Sequence, residues 1–137
     1  GRFYGWPYFN GFSVPDPDFG GQFPGDPPPV DPAHGFRPHN APLGIHFLRN
    51  ATPHGYERAA LVALHGSWNR RTPDGYKVVA LRWRDDGTFE ESDFLTGFLN
   101  EDGIIGRPAF VTEGPDGAIF VSDDYAGVVY RITSQAP

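Results

Sequence analysis

Glycine and proline punctuate this chain so densely that it can fold only as short segments joined by turns. The 18 Gly and 15 Pro among 137 residues exceed their usual combined share by nearly half. Proline fixes φ and lacks an N–H donor, while glycine admits the backbone conformations that tight turns need. Phe, Tyr and Trp make up 15% of the chain and favour strands, so the mixture predicts a turn-dense β protein. Disorder would instead require few aromatics and a low apolar content. No segment carries a sustained 3.6-residue apolar period with caps, which predicts little helix.

The length suits one domain able to bury a core without disulfides. The formal charge of −6 argues against a nucleic-acid or acidic-membrane binder, because phosphates need a basic footprint. No apolar run approaches the roughly eighteen residues of a membrane span. There is no Cys, which removes a disulfide framework, a thiolate metal site and a thiol nucleophile. There is also no Met, and the chain opens at Gly1-Arg2-Phe3 without a signal-peptide pattern, so a processed, excised or partial sequence is expected.

Two regions follow from the pattern. Residues 1–42 hold most of the prolines and no periodic apolar segment, and read as a Pro/Gly-rich loop region. Residues 43–137 contain short apolar runs separated by turns. The runs are Leu43 to Leu48, Ala59 to Leu64, Tyr76 to Trp83, and Thr88-Phe89 with Phe94-Leu95. A second group comprises Ala109 to Thr112, Ala118 to Val121 and Val128 to Ile132. Pro115-Asp116-Gly117 and Ala126-Gly127 supply hairpin turns. The first group gives four strands and the second three, which leaves a final edge unpaired. Two all-β architectures fit this count. One is a partial propeller whose last blade lacks its closing strand; the other is a small open β-sandwich.

The densest polar cluster is His65-Gly66-Ser67-Trp68-Asn69-Arg70-Arg71, directly after the most apolar run. Two guanidinium groups, an indole and an imidazole suit a planar, polyanionic ligand. The same residues also suit a solvated loop whose Trp packs on a neighbouring sheet. His39 enters the first strand as a ligand-binding or a structural residue. Arg107 and the pair Asp123-Asp124 stand at strand ends. Adjacent carboxylates can bind Ca²⁺ or form Asx turns, and in extended backbone they point apart, which makes a poor acid/base pair. Asn50-Ala51-Thr52 matches a glycosylation acceptor. No phosphate loop, His-Glu-x-x-His motif or nucleophile elbow is present.

The ordered motifs resemble the glucose/sorbosone dehydrogenase family, including its sorbosone and pyranose dehydrogenase branches. They are Tyr4-Gly5-Trp6-Pro7, Ala41-Pro42-Leu43-Gly44, His65-Gly66-Ser67-Trp68-Asn69-Arg70 and Tyr76-Lys77-Val78. Asp93-Phe94-Leu95-Thr96-Gly97, Gly106-Arg107-Pro108, Pro115-Asp116-Gly117, Val121-Ser122-Asp123-Asp124 and Gly127-Val128-Val129-Tyr130-Arg131-Ile132 follow. The resemblance covers nearly the whole chain apart from a Pro-rich insert at residues 12–36.

That resemblance implies the C-terminal part of a six-bladed β-propeller, with residues 43–137 as the last two blades. It implies pyrroloquinoline quinone (PQQ) and Ca²⁺ as cofactors, a sugar or aldehyde substrate, and hydride transfer to the quinone assisted by a His base. That base has no counterpart here, and the carbonyls that hold the cofactor Ca²⁺ lie upstream of Tyr4. By position, His39, Trp68, Asn69 and Arg70 border the cofactor or sugar pocket. Arg107 pairs with a cofactor carboxylate, and Ser122 or Asp123 lines the channel mouth. Phe12 and Val14 stand where a second, structural Ca²⁺ loop would have ligands, so metal ligands stay unassigned. The implied electron acceptor is a cytochrome or a quinone, and the implied location is periplasmic or secreted. This chain alone is expected to be inactive. The competing readings are a non-enzymatic propeller that binds carbohydrate or protein, and a lactonase-type hydrolase, for which Asp123 and Asp124 are too few metal ligands.

Overall fold

The computed structural model describes residues 1–49, 55–56 and 58–133; the Asn50-Ala51-Thr52 motif lies outside them. Two compact units divide the chain, Gly1–Gly35 and Phe36–Pro137. The first has no strand and one 3₁₀ turn at Gly20–Gln22. Its prolines preclude ladders, and an aromatic cluster takes their place. Phe23 stacks on Phe3 at 5.7 Å and meets Tyr8 and Phe9 at 5.6 and 5.0 Å between ring centroids. Asp16 Oδ1 accepts from the N–H groups of Asp18 and Phe19 at 2.9 and 3.0 Å. These bonds, Phe19's first, hold the Asp16 carboxyl below the usual carboxylate range.

The second unit is all antiparallel β. Strands β1 (Pro42–Phe47), β2 (Ala59–Leu64), β3 (Lys77–Trp83) and β4 (Phe89–Leu95) form a meander in the order β1-β2-β3-β4. A two-residue ladder joins β5 (Leu99–Asn100) to β6 (Gly103–Ile104). A third sheet runs β7 (Pro108–Glu113), β8 (Ile119–Asp123) and β9 (Val128–Ile132). The four-plus-three grouping therefore matches the sequence pattern. The β5–β6 ladder was not foreseen, since two residues carry no periodicity. Strand β4 runs unbroken through Glu90-Glu91-Ser92-Asp93. An edge strand pairs on one side only, so its register with β3 holds polar residues in the ladder.

The core lies between the two larger sheets. Leu61, Val78 and Ala80 of the four-stranded sheet pack with Val111, Ile119 and Val121 of the three-stranded one. Val62, Leu64, Val79 and Leu81 form a second cluster on the opposite face, joined by Phe36 and Phe89. Strands β2 and β3 are thus covered on both sides, and β2 is buried at all six positions. Alternation within β3 is lost for the same reason. Backbones approach most closely where β1 meets β7: a Cβ on Gly44 would stand 2.7 Å from the Cα of Phe110. Gly44→Ala is expected to cost about 1–3 kcal/mol by overpacking, measured as a lower midpoint in urea unfolding. An unchanged midpoint would contradict the close approach.

The outward faces of this two-sheet stack are apolar. Leu43, Ile45 and Phe47 alternate along β1 and are 50–57% exposed. Phe110, Ser122 and Val129 share one cross-strand row, in which Phe110 and Val129 are 56% and 66% exposed. Among the described residues no helix is long and apolar enough to cross a membrane.

Candidate functional site

The register brings four segments to one end of the two larger sheets. Pro42 pairs with Leu64, Leu64 with Lys77, Pro108 with Asp123, and Asp123 with Val128. The entry to β1, the loop between β2 and β3, the entry to β7 and the β8–β9 turn therefore share an edge.

The loop of residues 65–76 is clasped at its base. His65 and Gly66 donate backbone N–H bonds to the carbonyls of Ala41 and Asn40, both at 3.0 Å. Ser67 N–H donates to the Asp74 carbonyl at 2.9 Å, and Asp74 N–H returns to Ser67 Oγ at 3.1 Å. Gly66 and Gly75 carry φ of +95° and +94°, and a Cβ on Gly75 would stand 2.8 Å from the Gly66 Cα. Only glycine meets both demands, a left-handed backbone and a touching neighbour. Beyond this clasp Trp68 is 80% exposed, and Asn69, Arg70 and Arg71 are exposed.

Arg70 lies against the loop itself. Its Nη1 donates to the Pro38 carbonyl at 3.1 Å and to Asp74 Oδ2 at 3.2 Å, and Arg37 approaches the same carboxylate at 3.6 Å. Burial opposes ionisation of Asp74, but the Asn40 amide, the Gly75 N–H, Arg37 and Arg70 together hold its carboxyl below the usual range. Asn40 Nδ2 is buried and influences Asp74 without reaching hydrogen-bond geometry. His39, with φ +70°, is exposed.

Arg107 links the two larger sheets at this edge. Its Nη2 donates to the Ser67 carbonyl at 3.1 Å and to Tyr76 Oη at 3.4 Å, and its Nη1 stands 3.5 Å from His65 Nδ1. The guanidinium carbon lies 5.2 Å from the centre of the Tyr76 ring, a cation–π geometry. Tyr76 is buried and its hydroxyl donates to the Ser67 carbonyl. On the far side, His65 Nε2 meets Asp124 Oδ1 at 2.8 Å. That bond first, and then the nearby Arg107 charge, holds the Asp124 carboxyl below its usual range.

Asp123 and Asp124 diverge as extended backbone requires. Asp124 faces His65, whereas Asp123 is 2% exposed and turned inward. Asp123 Oδ1 accepts from the N–H groups of Arg107 at 2.9 Å and Ala126 at 2.8 Å, and Oδ2 accepts from the Tyr130 hydroxyl at 3.3 Å. Burial, then the Asp123 charge, pushes the Tyr130 phenol up. Ser122 Oγ accepts from the Phe110 N–H at 3.1 Å. Among the described residues, no three His, Cys, Asp or Glu side chains come together as a metal site.

Of the residues singled out from the sequence, Arg107 stands at the centre of the cluster, and Trp68 and Asn69 extend from the same loop. Arg70 and His39 lie on its outer side, while Ser122 and Asp123 serve the three-stranded sheet. His65, Tyr76 and Asp124 complete the cluster, although the sequence reading did not assign them to the cofactor pocket. The signal for His65 and Asp124 was their position, each at the end of a buried strand; Tyr76 was marked only as the first residue of the Tyr76-Lys77-Val78 motif and of a predicted strand.

The fold and this cluster define an all-β domain whose two packed sheets present arginine, imidazole and an exposed indole at one shared edge. A family model described as TrAA12-like matches residues 28–135, and the chain belongs to that family. It is 35% identical over 135 residues to an uncharacterized protein of Borreliella burgdorferi, covering 94% of this chain and 35% of that protein. It is 32% identical over 117 residues to the pyrroloquinoline quinone-dependent pyranose dehydrogenase of Coprinopsis cinerea, covering 69% and 15%. The holo PQQ domain of the Coprinopsis enzyme superposes with a TM-score of 0.53 at 34% identity, over 71% of this chain and 27% of that one. A Trichoderma reesei structure of Carbohydrate-Active Enzymes Family AA12 gives 0.60 at 28% identity, over 74% and 26%. This chain spans 35% and 15% of the lengths of these two curated relatives.

Proposed function

We propose that this chain is the C-terminal part of a PQQ-dependent oxidoreductase of the glucose/sorbosone dehydrogenase type, acting on sugars or related aldehydes. The observation that carries this reading is the Arg107 cluster: one guanidinium, carried at the entry to the three-stranded sheet and held by His65, Ser67 and Tyr76 of the four-stranded one, with the exposed indole of Trp68 on the same loop. Similarity to the Coprinopsis PQQ domain supports the same ligand class.

The donor set fits a flat polycarboxylate. Arg107 would hold a carboxylate of the quinone, Trp68 would stack on its ring, and Asn69 would orient it. His39 and Arg70 would border the sugar, with Ser122 and Asp123 supporting the channel mouth through the backbone they hold. Bound there, PQQ would supply the two-electron hydride acceptor. The residues of this chain position that acceptor and limit water around it; the His base belongs to the family's earlier blades. Among the described residues no acidic cluster fits Ca²⁺; in this reading the ligands of the cofactor metal belong to other parts of the full-length protein.

The architecture in this reading is a six-bladed propeller. The two larger sheets are its last two blades, and residues 1–42 are the loop region before them. The bare apolar faces of β1 and of the β7–β9 sheet would pack on neighbouring blades, and a further strand would pair with β9. A periplasmic or secreted location and a cytochrome or quinone acceptor complete the proposal. A non-enzymatic binding propeller is the alternative, since fold does not fix function.

Dye-linked sugar oxidation by the full-length protein, with and without added PQQ and Ca²⁺, tests this reading. Turnover that requires PQQ is expected from the full-length protein and none from the 137-residue chain alone. PQQ-independent behaviour, or binding of sugar without oxidation, would favour the alternative.

A further inference from the structure

Arg107 is held by groups that are themselves ordered, and the order has a direction. Guanidinium is donor-only and stays charged, so the nitrogen it faces, His65 Nδ1 at 3.5 Å, must present a lone pair. The imidazole proton then sits on Nε2, which faces Asp124 Oδ1 at 2.8 Å, an acceptor. Both contacts are satisfied by one neutral tautomer. The groups around the ring are Asp124 from the β8–β9 turn and Arg107 from the entry to β7. Behind them stand the Tyr76 phenol, bonded to the Ser67 carbonyl, and the Asp123 carboxylate, filled by backbone N–H groups.

We propose that Asp124 and His65 are a positioning pair for Arg107: Asp124 fixes the His65 tautomer, and His65 fixes the guanidinium for an anionic ligand. This rests on the reading of Arg107 as a carboxylate partner of PQQ. The Ser67 carbonyl and Tyr76 hydroxyl hold Nη2, while His65 faces Nη1. A protonated His65 carries N–H on both nitrogens, loses its acceptor toward Arg107 and sets a like charge beside it. A proton added to His65 Nδ1 would therefore release Arg107 from this contact.

The test is the dissociation constant of PQQ for the full-length protein, read by quenching of tryptophan fluorescence. It is measured at about pH 8 and about pH 5.5, a span over which an imidazole can change charge. His65→Ala is expected to weaken binding about tenfold at the higher pH, the worth of one charge-assisted orienting contact. His65→Asn can return an acceptor oxygen and cannot protonate, so it is expected to restore most of the affinity and to bind equally at both pH values. The parent protein should weaken toward the lower pH. Asp124→Asn, at an exposed carboxylate, offers a variant with little risk to folding and should give an intermediate loss.

Binding by His65→Ala within about twofold of the parent at the higher pH, a free-energy change of only ~0.4 kcal/mol, would overturn the proposal. So would equal losses in His65→Ala and His65→Asn with the parent's pH profile retained. Arg107→Ala separates the two readings. If Arg107→Ala loses PQQ while the His65 variants do not, only the positioning pair fails. If Arg107→Ala also binds normally, the cofactor reading itself fails.

Discussion

Replacing Arg107 with alanine is expected to weaken PQQ binding by the full-length protein about a hundredfold, or ~2.7 kcal/mol. The guanidinium has three oriented neighbours, the Ser67 carbonyl, the Tyr76 hydroxyl and His65 Nδ1, so its position is set before a ligand arrives. Lysine in its place should recover little: a single ammonium can bond the Ser67 carbonyl, but it offers no planar second edge to a carboxylate. The change also removes one link between the two sheets, so affinity and thermal stability need to be read together. A drop in melting temperature with unchanged quinone affinity would make Arg107 a structural strut and nothing more.

The largest expected effect on stability belongs to Asp123→Ala. The carboxylate is buried and accepts from two backbone N–H groups and the Tyr130 hydroxyl. Alanine leaves those donors without a partner at the start of β7 and in the β8–β9 turn. Each buried unsatisfied group costs about 1–3 kcal/mol, so a loss of ~3 kcal/mol overall is expected. Asparagine keeps one acceptor oxygen and should lose less. Gly106 presses against the same carboxylate with no room for a Cβ, so a substitution there should act in the same direction. Differential unfolding of the two Asp123 variants checks the order, and an alanine variant as stable as the parent would contradict it. The effect has a pH counterpart at the neighbouring residue. The Asp124 carboxyl is held low by His65, so its contribution is present above the ordinary carboxylate range and fades as pH falls through the lowered value.

Sequence reasoning reaches some of this structure to the residue and misses other parts for physical reasons. Ala59 to Leu64 and Val128 to Ile132 coincide with β2 and β9, because each is bounded by turn chemistry and free of breakers. The continuity of β4 is invisible, since Glu90, Glu91 and Asp93 are held by partner register rather than by burial. Arg107 and the His65 loop are legible from their place at strand ends. The fate of Asp123 is not, because convergence of three donors on one carboxylate depends on how β7, β8 and β9 meet. Tyr76 escapes for a similar reason. Its φ of +55° turns an aromatic residue out of strand geometry and under the guanidinium, which no periodicity announces. Arg70 looks from sequence like a second ligand-binding cation, yet Asp74, four residues on, draws it back onto its own loop.

The most direct test of the central claim is an equilibrium titration of PQQ, with Ca²⁺ present, into the full-length protein and its Arg107→Ala variant. Saturable binding at one quinone per chain, weakened about a hundredfold in the variant, is the predicted result. No saturable binding, or equal binding by both proteins, would contradict it.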